Sequence, residues 1–249
     1  MSAWYLQCEA KDVAHRVILV GDRARIELAR EVEPSLRQVS QNREFHVYTG
    51  QHRDVPVTMV ATGMGAPALT VAVEELVELG ARDLARIGTT MALDDPLGTM
   101  VLAQGACRFD GTSGTYVPLA VPAVPDGTLY AQFRAALAIG RRPWVESLVA
   151  SFDGFYSQMQ PRPERPSAGP SFDELRRWGV GGMDMETAAL YTSARVLRAA
   201  AVSLCAATVT ADGGATEGDE RRDLERDLVR TALAALTASR PDSTEGATP

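Results

Sequence analysis

Arg86, Gly88, Thr89 and Thr90 close an apolar run that begins at Leu84, and those residue types are suited to holding an anion. A guanidinium offers two parallel charge-assisted donors, and a glycine beside two hydroxyls leaves further donors free to face the same oxyanion. Two other segments carry matching chemistry. Gly21-Asp22-Arg23-Ala24-Arg25 follows the first strand-like run, and Met183-Asp184-Met185-Glu186 sets carboxylates in front of a helical pattern. Carboxylates accept hydrogen bonds from hydroxyl groups, so the combination reads as an enzyme that holds an oxyanion against a hydroxyl-rich substrate. Taken singly, Arg25 reads as a solvated helix residue and the two threonines as strand-end caps. Their convergence just past strand ends, where α/β sheets gather ligands, carries the functional reading.

The elements that must position these residues follow from hydrophobic spacing. Residues 16–20 form a short apolar run ending at Gly21, a buried strand, and residues 24–32 carry helical spacing. Residues 45–49 and 55–61 flank a polar stretch and read as a hairpin with a longer turn over 50–54. A helix over 68–79 ends at Gly80 and leads into a strand over 84–88. Strand-like runs recur at 100–103, 144–151 and 200–210, and helical patterns at 129–138, 187–197 and 219–238. This alternation predicts an α/β fold, a three-layer α/β/α sandwich around a central mixed sheet. Residues 1–238 are expected to form one domain, and the polar, aperiodic stretch 239–249 a disordered tail. Residues 160–171, with Pro161, Pro163, Pro166 and Pro170, form a loop that is either a flap or a surface connection. Gly63 and Gly65, and the group Gly179, Gly181 and Gly182, lack the full dinucleotide fingerprint and read as turns.

Composition narrows the partners. A net charge of -7 argues against nucleic acid and anionic membranes as partners, so any anion site is local. Lys11 is the only lysine and lies before the first strand, which disfavours Schiff-base chemistry. Cys8, Cys107 and Cys205 are far apart, and no zinc motif is present, so no metal is expected. No apolar segment reaches membrane-spanning length and the first residues lack a leader pattern, which reads as a cytoplasmic protein.

Five ordered segments give the chain a family likeness: Gly21-Asp22-Arg23-Ala24-Arg25, Asn42-Arg43-Glu44-Phe45, Gly63-Met64-Gly65-Ala66-Pro67, Arg86-Ile87-Gly88-Thr89-Thr90 and Met183-Asp184-Met185-Glu186-Thr187. With these the sequence resembles the nucleoside phosphorylase superfamily, which contains uridine phosphorylases and hexameric purine nucleoside phosphorylases, from about Tyr5 to the last helix. The segments around Arg108 and 118–125 look closest to the uridine phosphorylase branch. The resemblance implies that Gly21, Arg25, Arg86 and Thr89 bind phosphate, with Arg43 reaching the same site from a neighbouring subunit. It implies ribose contacts from Glu186, Met64, Thr90 and Met185, with Tyr5 near the place of a histidine offered by the neighbour. Phosphate would then attack the anomeric carbon, with Arg86 and Glu186 as the principal catalytic groups and no cofactor besides inorganic phosphate as co-substrate. A shared site makes a dimer the smallest competent unit, and the likeness implies a hexamer built as a trimer of dimers.

The base is where the sequence divides. Phe155 precedes Gln160 and Arg162, a pair that resembles the uracil-reading residues of uridine phosphorylases once one residue is inserted; the plainer reading is a proline-rich flap that contains both. Asp212 falls where purine phosphorylases carry an acid that protonates the leaving base, and Asp-Gly is equally an ordinary turn. Met91 stands where the family has glycine, placing a side chain on the base side, and Ala68 replaces a family serine. The leading expectation is a uridine-like phosphorylase. Beside it stand a purine nucleoside phosphorylase, a hydrolytic nucleosidase, and a weakly active nucleoside-binding homologue.

Overall fold

Alternation along the strands decides which side of the sheet each residue serves. The computed structural model describes residues 3–160, 164 and 167–238; Arg162 and the stretch 239–249 lie outside them. In β1 (Arg16–Val20), Ile18 and Val20 join one buried cluster while Val17 and Leu19 join another on the opposite face, as the two-residue period of a strand requires. The first cluster is roofed by α1 (Ala24–Val32), α4 (Gly127–Ile139) and α7 (Gly218–Leu236), through Ile26, Phe133 and Leu228 among others. The second is covered by α2 (Ala66–Glu78) and α6 (Thr187–Val196), through Leu69, Val73, Leu190 and Tyr191. The layered arrangement expected from the alternation of patterns is therefore present, with a mixed sheet between helices.

The remaining strands are β2 (Arg37–Asn42), β3 (Phe45–His52), β4 (Val55–Ala61), β5 (Asp83–Ala92), β6 (Met100–Phe109), β7 (Trp144–Phe152), β8 (Val180–Asp184) and β9 (Ala200–Thr210). They form a nine-stranded sheet in the order β2-β3-β4-β1-β5-β8-β7-β6-β9, and a further β5–β9 pairing returns the sheet onto itself. β5 makes this possible: Asp83 to Ile87 pair with β1 on one side, Met91 and Ala92 pair with β8 beyond them, and β9 runs parallel along the other side.

Several expectations need correction. The hairpin turn is shorter than predicted, because β3 continues to His52 and only Arg53 and Asp54 turn before β4, both at positive φ; this is the tight geometry that matches strand twist. β2 escaped the sequence reading because its polar residues lie on a largely exposed edge with no apolar stripe. Gly179 is a turn, at φ 77°, but Gly181 and Gly182 lie inside β8. There a Cβ on Gly182 would stand 2.6 Å from the Thr90 hydroxyl, so glycine lets β8 approach β5. The short helices α3 (Thr112–Tyr116) and α5 (Phe172–Arg177) were also unpredicted, although Ser171 and Glu174 form a capping box at the start of α5.

Candidate active site

A cavity of about 490 Å³ opens at the carboxyl ends of β1, β4 and β5 and brings most of the predicted residues together. Gly21, Arg25, Met64, Arg86, Thr89, Thr90, Met91, Phe155, Met185 and Glu186 all line it. Each arrives by a local cause. Gly21 follows β1 and packs closely on the turn after β4, where a Cβ would meet the Gly63 carbonyl oxygen at 3.3 Å. Gly63 and Gly65 hold φ of 74° and 98°, conformations that side chains resist, and the turn they make exposes Met64 at the cavity mouth. Pro67 then starts α2 at a position where its missing N–H costs nothing.

Arg86 is the centre of the polar wall. Its Nη1 lies 3.0 Å from Asp184, its Nη2 donates to Glu186, and Nη1 also reaches Cys205 at 2.8 Å and Ser203 at 3.4 Å. Burial works against the charge, but Cys205, Glu186 and Asp184 outweigh it and hold the guanidinium above its ordinary pKa. The arginine can fold back this way because Gly88 lies beneath it: a Cβ there would meet both guanidinium nitrogens at 2.9 Å. Gly88→Ala is therefore expected to displace Arg86 and lower kcat/KM by about 10-fold or more, on the scale of one misplaced charge-assisted donor. Steady-state kinetics beside a thermal melt checks this, and a variant with unchanged kcat/KM would show that Arg86 does not need its place over Gly88.

Glu186 is fixed from two directions. Besides Arg86, it accepts a 2.6 Å hydrogen bond from the Gly65 amide, which ties the carboxylate to the glycine turn in front of α2. Asp184, buried, is the support beneath. It accepts from the Ser151 hydroxyl at 2.6 Å and from the Thr187 hydroxyl and amide, and it pairs with Arg86. Sequence reading placed Asp184 in the motif without giving it this role; its short side chain before a helix start was the available signal.

Two features of the cavity around Arg25 were missed. Arg221, at the start of α7, lines the cavity, and Glu225 one turn later pairs with both Arg221 at 3.3 Å and Arg25 at 3.2 Å. The Nε of Arg25 is buried with no hydrogen-bond partner among the described residues, a donor of the kind that an oxyanion would satisfy.

Four predicted residues are not part of this wall. Tyr5 and Arg43 are exposed and lie together, with the Arg43 guanidinium 5.8 Å from the Tyr5 ring centre. Glu75 accepts from the Tyr5 and Leu6 amides at 2.8 Å, and Asn42 donates to the Tyr5 carbonyl, and neither Tyr5 nor Arg43 lines the cavity. Gln160 is exposed and follows a π-helical turn over Phe155–Met159. Asp212 sits in the turn after β9, where first the Thr210 hydroxyl and then the Gly214 backbone hold its carboxyl below its ordinary range. A carboxylate so held stays ionised rather than protonated at neutral pH.

The chain is similar to known proteins along most of its length. A sequence profile of the phosphorylase superfamily matches residues 15–239. The chain is 35% identical over 240 residues to a uridine phosphorylase of Treponema pallidum, covering 94% of this chain and 92% of that one. It is 29% identical over 244 residues to a guanosine phosphorylase of Halorubrum lacusprofundi, covering 94% and 98%. The crystal structure of uridine phosphorylase from Vibrio fischeri superposes with a TM-score of 0.84 at 26% identity, covering 94% of this chain and 97% of that one.

Proposed function

Because the chain belongs to the phosphorylase superfamily, we propose that its cavity catalyses phosphate-dependent cleavage of the N-glycosidic bond of a uridine-like nucleoside, giving free base and ribose 1-phosphate. The observation that carries this reading is the direct link between Arg86 and Glu186. It joins a donor suited to phosphate to an acceptor suited to ribose hydroxyls, so the two reactants meet at one buried junction. Gly21, Arg25 and Thr89 complete the phosphate end from the same chain, and Thr90, Met64 and Met185 border the sugar.

In this reaction a phosphate oxygen bonds to C1′ as the C1′–N bond breaks, and the bonding pair leaves with the base. The side chains take no covalent part. Holding phosphate and nucleoside in attack geometry removes much of the entropic barrier. The phosphate dianion also lies against the positive charge that develops on the sugar, in a setting already oriented for it. Water-dependent cleavage gives no role to a paired set of Arg25, Arg86 and Arg221, so hydrolysis is the weaker reading.

The exposed pair of Arg43 and Tyr5, outside the chain's own cavity wall, supports a shared site in which these residues complete a neighbouring subunit's cavity. The unit proposed is at least a dimer and, by family likeness, a trimer of dimers, each chain contributing residues 1–238 as one domain. The compartment proposed is the cytoplasm; among the described residues no helix is long and apolar enough to cross a membrane. Phosphate is the only co-substrate in this scheme. The test is release of uracil from uridine with and without phosphate: ribose 1-phosphate formed only when phosphate is present is the expected result. Ribose in place of ribose 1-phosphate would turn the assignment to a nucleosidase, and binding without turnover to a nucleoside-binding homologue.

A further inference from the structure

Of the eight methionines in the chain, five line the cavity: Met64, Met91, Met159, Met183 and Met185. Met91, Met159 and Met183 are buried in one apolar cluster with Phe155, Met185 and Val209 packed against it. Met91 faces Met183 where β5 meets β8, and the β5–β9 register slips at Met91, passing over Thr208. The extra residue of this bulge, Thr208, lies on β9, and Met91, Thr208 and Val209 line the cavity beside it. Polar side chains at this end are sparse among the described lining residues. The Thr90 hydroxyl already donates to the Met183 carbonyl at 2.9 Å, and Thr208 and, towards Gly88, Thr89 carry the other hydroxyls of the lining.

A wall of this composition recognises a base by shape and polarizability. Thioether side chains are unbranched and mobile about three bonds, and they pack well on aromatic faces, so they adapt to rings of different outline. A site of edge-reading donors and acceptors rejects a mismatched base by about 10⁴-fold or more, whereas an apolar wall discriminates by only about 10- to 200-fold. Resting on the phosphorolysis reading above, we infer that the methionine-lined base end accepts purine as well as pyrimidine nucleosides, with Met91 setting the room available to a two-ring base.

The experiment is a comparison of kcat/KM for uridine, thymidine, inosine and guanosine at saturating phosphate, using the full chain in its native assembly. All four are expected to turn over within about 200-fold of one another. Activity on uridine with a purine deficit beyond about 10³-fold would overturn the inference and leave phosphorolysis standing, while no turnover of any nucleoside would remove both. Met91→Ala enlarges the wall and is expected to raise the purine-to-pyrimidine ratio about 10-fold. Met91→Leu keeps the volume but stiffens the chain; it preserves the core and is expected to widen the spread between bases. A ratio unmoved by both substitutions would show that Met91 does not set the room.

Discussion

Arg86→Lys is expected to leave a folded protein that has lost about 10²- to 10³-fold in kcat/KM, the scale of removing one preorganised donor from a transition state. The reason is geometric. In the wild-type chain one planar group reaches Asp184 through Nη1 and Glu186 through Nη2 while lying over Gly88. An ammonium is a point charge with no fork and cannot span both carboxylates and a phosphate oxygen together. Arg86→Ala should behave differently. It leaves two buried carboxylates without their cation, so the fold itself is expected to lose about 3–5 kcal/mol. Thermal melts separate the two outcomes, and steady-state phosphorolysis reads the catalytic loss. A lysine variant with wild-type kcat/KM would remove Arg86 from the reaction.

Arg43→Ala should raise the KM for phosphate by about 10- to 100-fold, the worth of one charge-assisted hydrogen bond of roughly 1.5–3 kcal/mol. The charges of a single chain explain why the effect should be large. Arg25, Arg86 and Arg221 line the cavity, but so do Asp22, Asp184 and Glu186, and Glu225 is already paired with Arg25 and Arg221. One chain therefore presents a phosphate dianion with guanidiniums that are largely neutralised. A guanidinium arriving from a neighbour would tip that balance. The decisive form of the experiment mixes Arg43→Ala subunits with Glu186→Ala subunits. Each variant alone is impaired, and mixed assemblies should regain activity because some interfaces combine an intact cavity with an intact Arg43. Unchanged phosphate dependence in Arg43→Ala, or mixtures no better than their parts, would count against a shared site.

Much of this was legible in the sequence because it rests on local chemistry. The runs at 16–20 and 200–210 stand out as apolar strands and occupy β1 and β9. The segment from Arg86 to Thr90 and the carboxylates near Glu186 fall at the junctions that line the cavity. What escaped was set by tertiary context. Gly181 and Gly182 look like turn residues, yet they lie in a strand that must approach Ser147 on β7 and Thr90 on β5 closely. β5 runs four residues past Gly88, which interrupts the apolar run, because β9 and β8 supply partners there. Arg221 and Glu225 read as ordinary residues of an amphipathic helix; only packing of α7 beside α1 brings them to Arg25. The uracil-reading pair and the purine acid point to different bases, and the segments around Arg108 and 118–125 tip the expectation towards a pyrimidine. The structure leaves Gln160 and Asp212 outside the cavity wall, which Met91, Met159 and Met183 line beside Phe155.

The return of the sheet onto itself through β5 and β9 also bears on how the protein acquires activity. Arg86 and Ser203 meet across 117 positions of sequence, and Arg25 meets Glu225 across 200. Contacts of such separation form late and slowly, because the loop between them must close before they give anything back. Neither guanidinium can be seated until the last strand and last helix have docked. During synthesis, then, Arg86 and Arg25 lack Ser203 and Glu225 until β9 and α7 have been made, and the cavity wall is completed only after that.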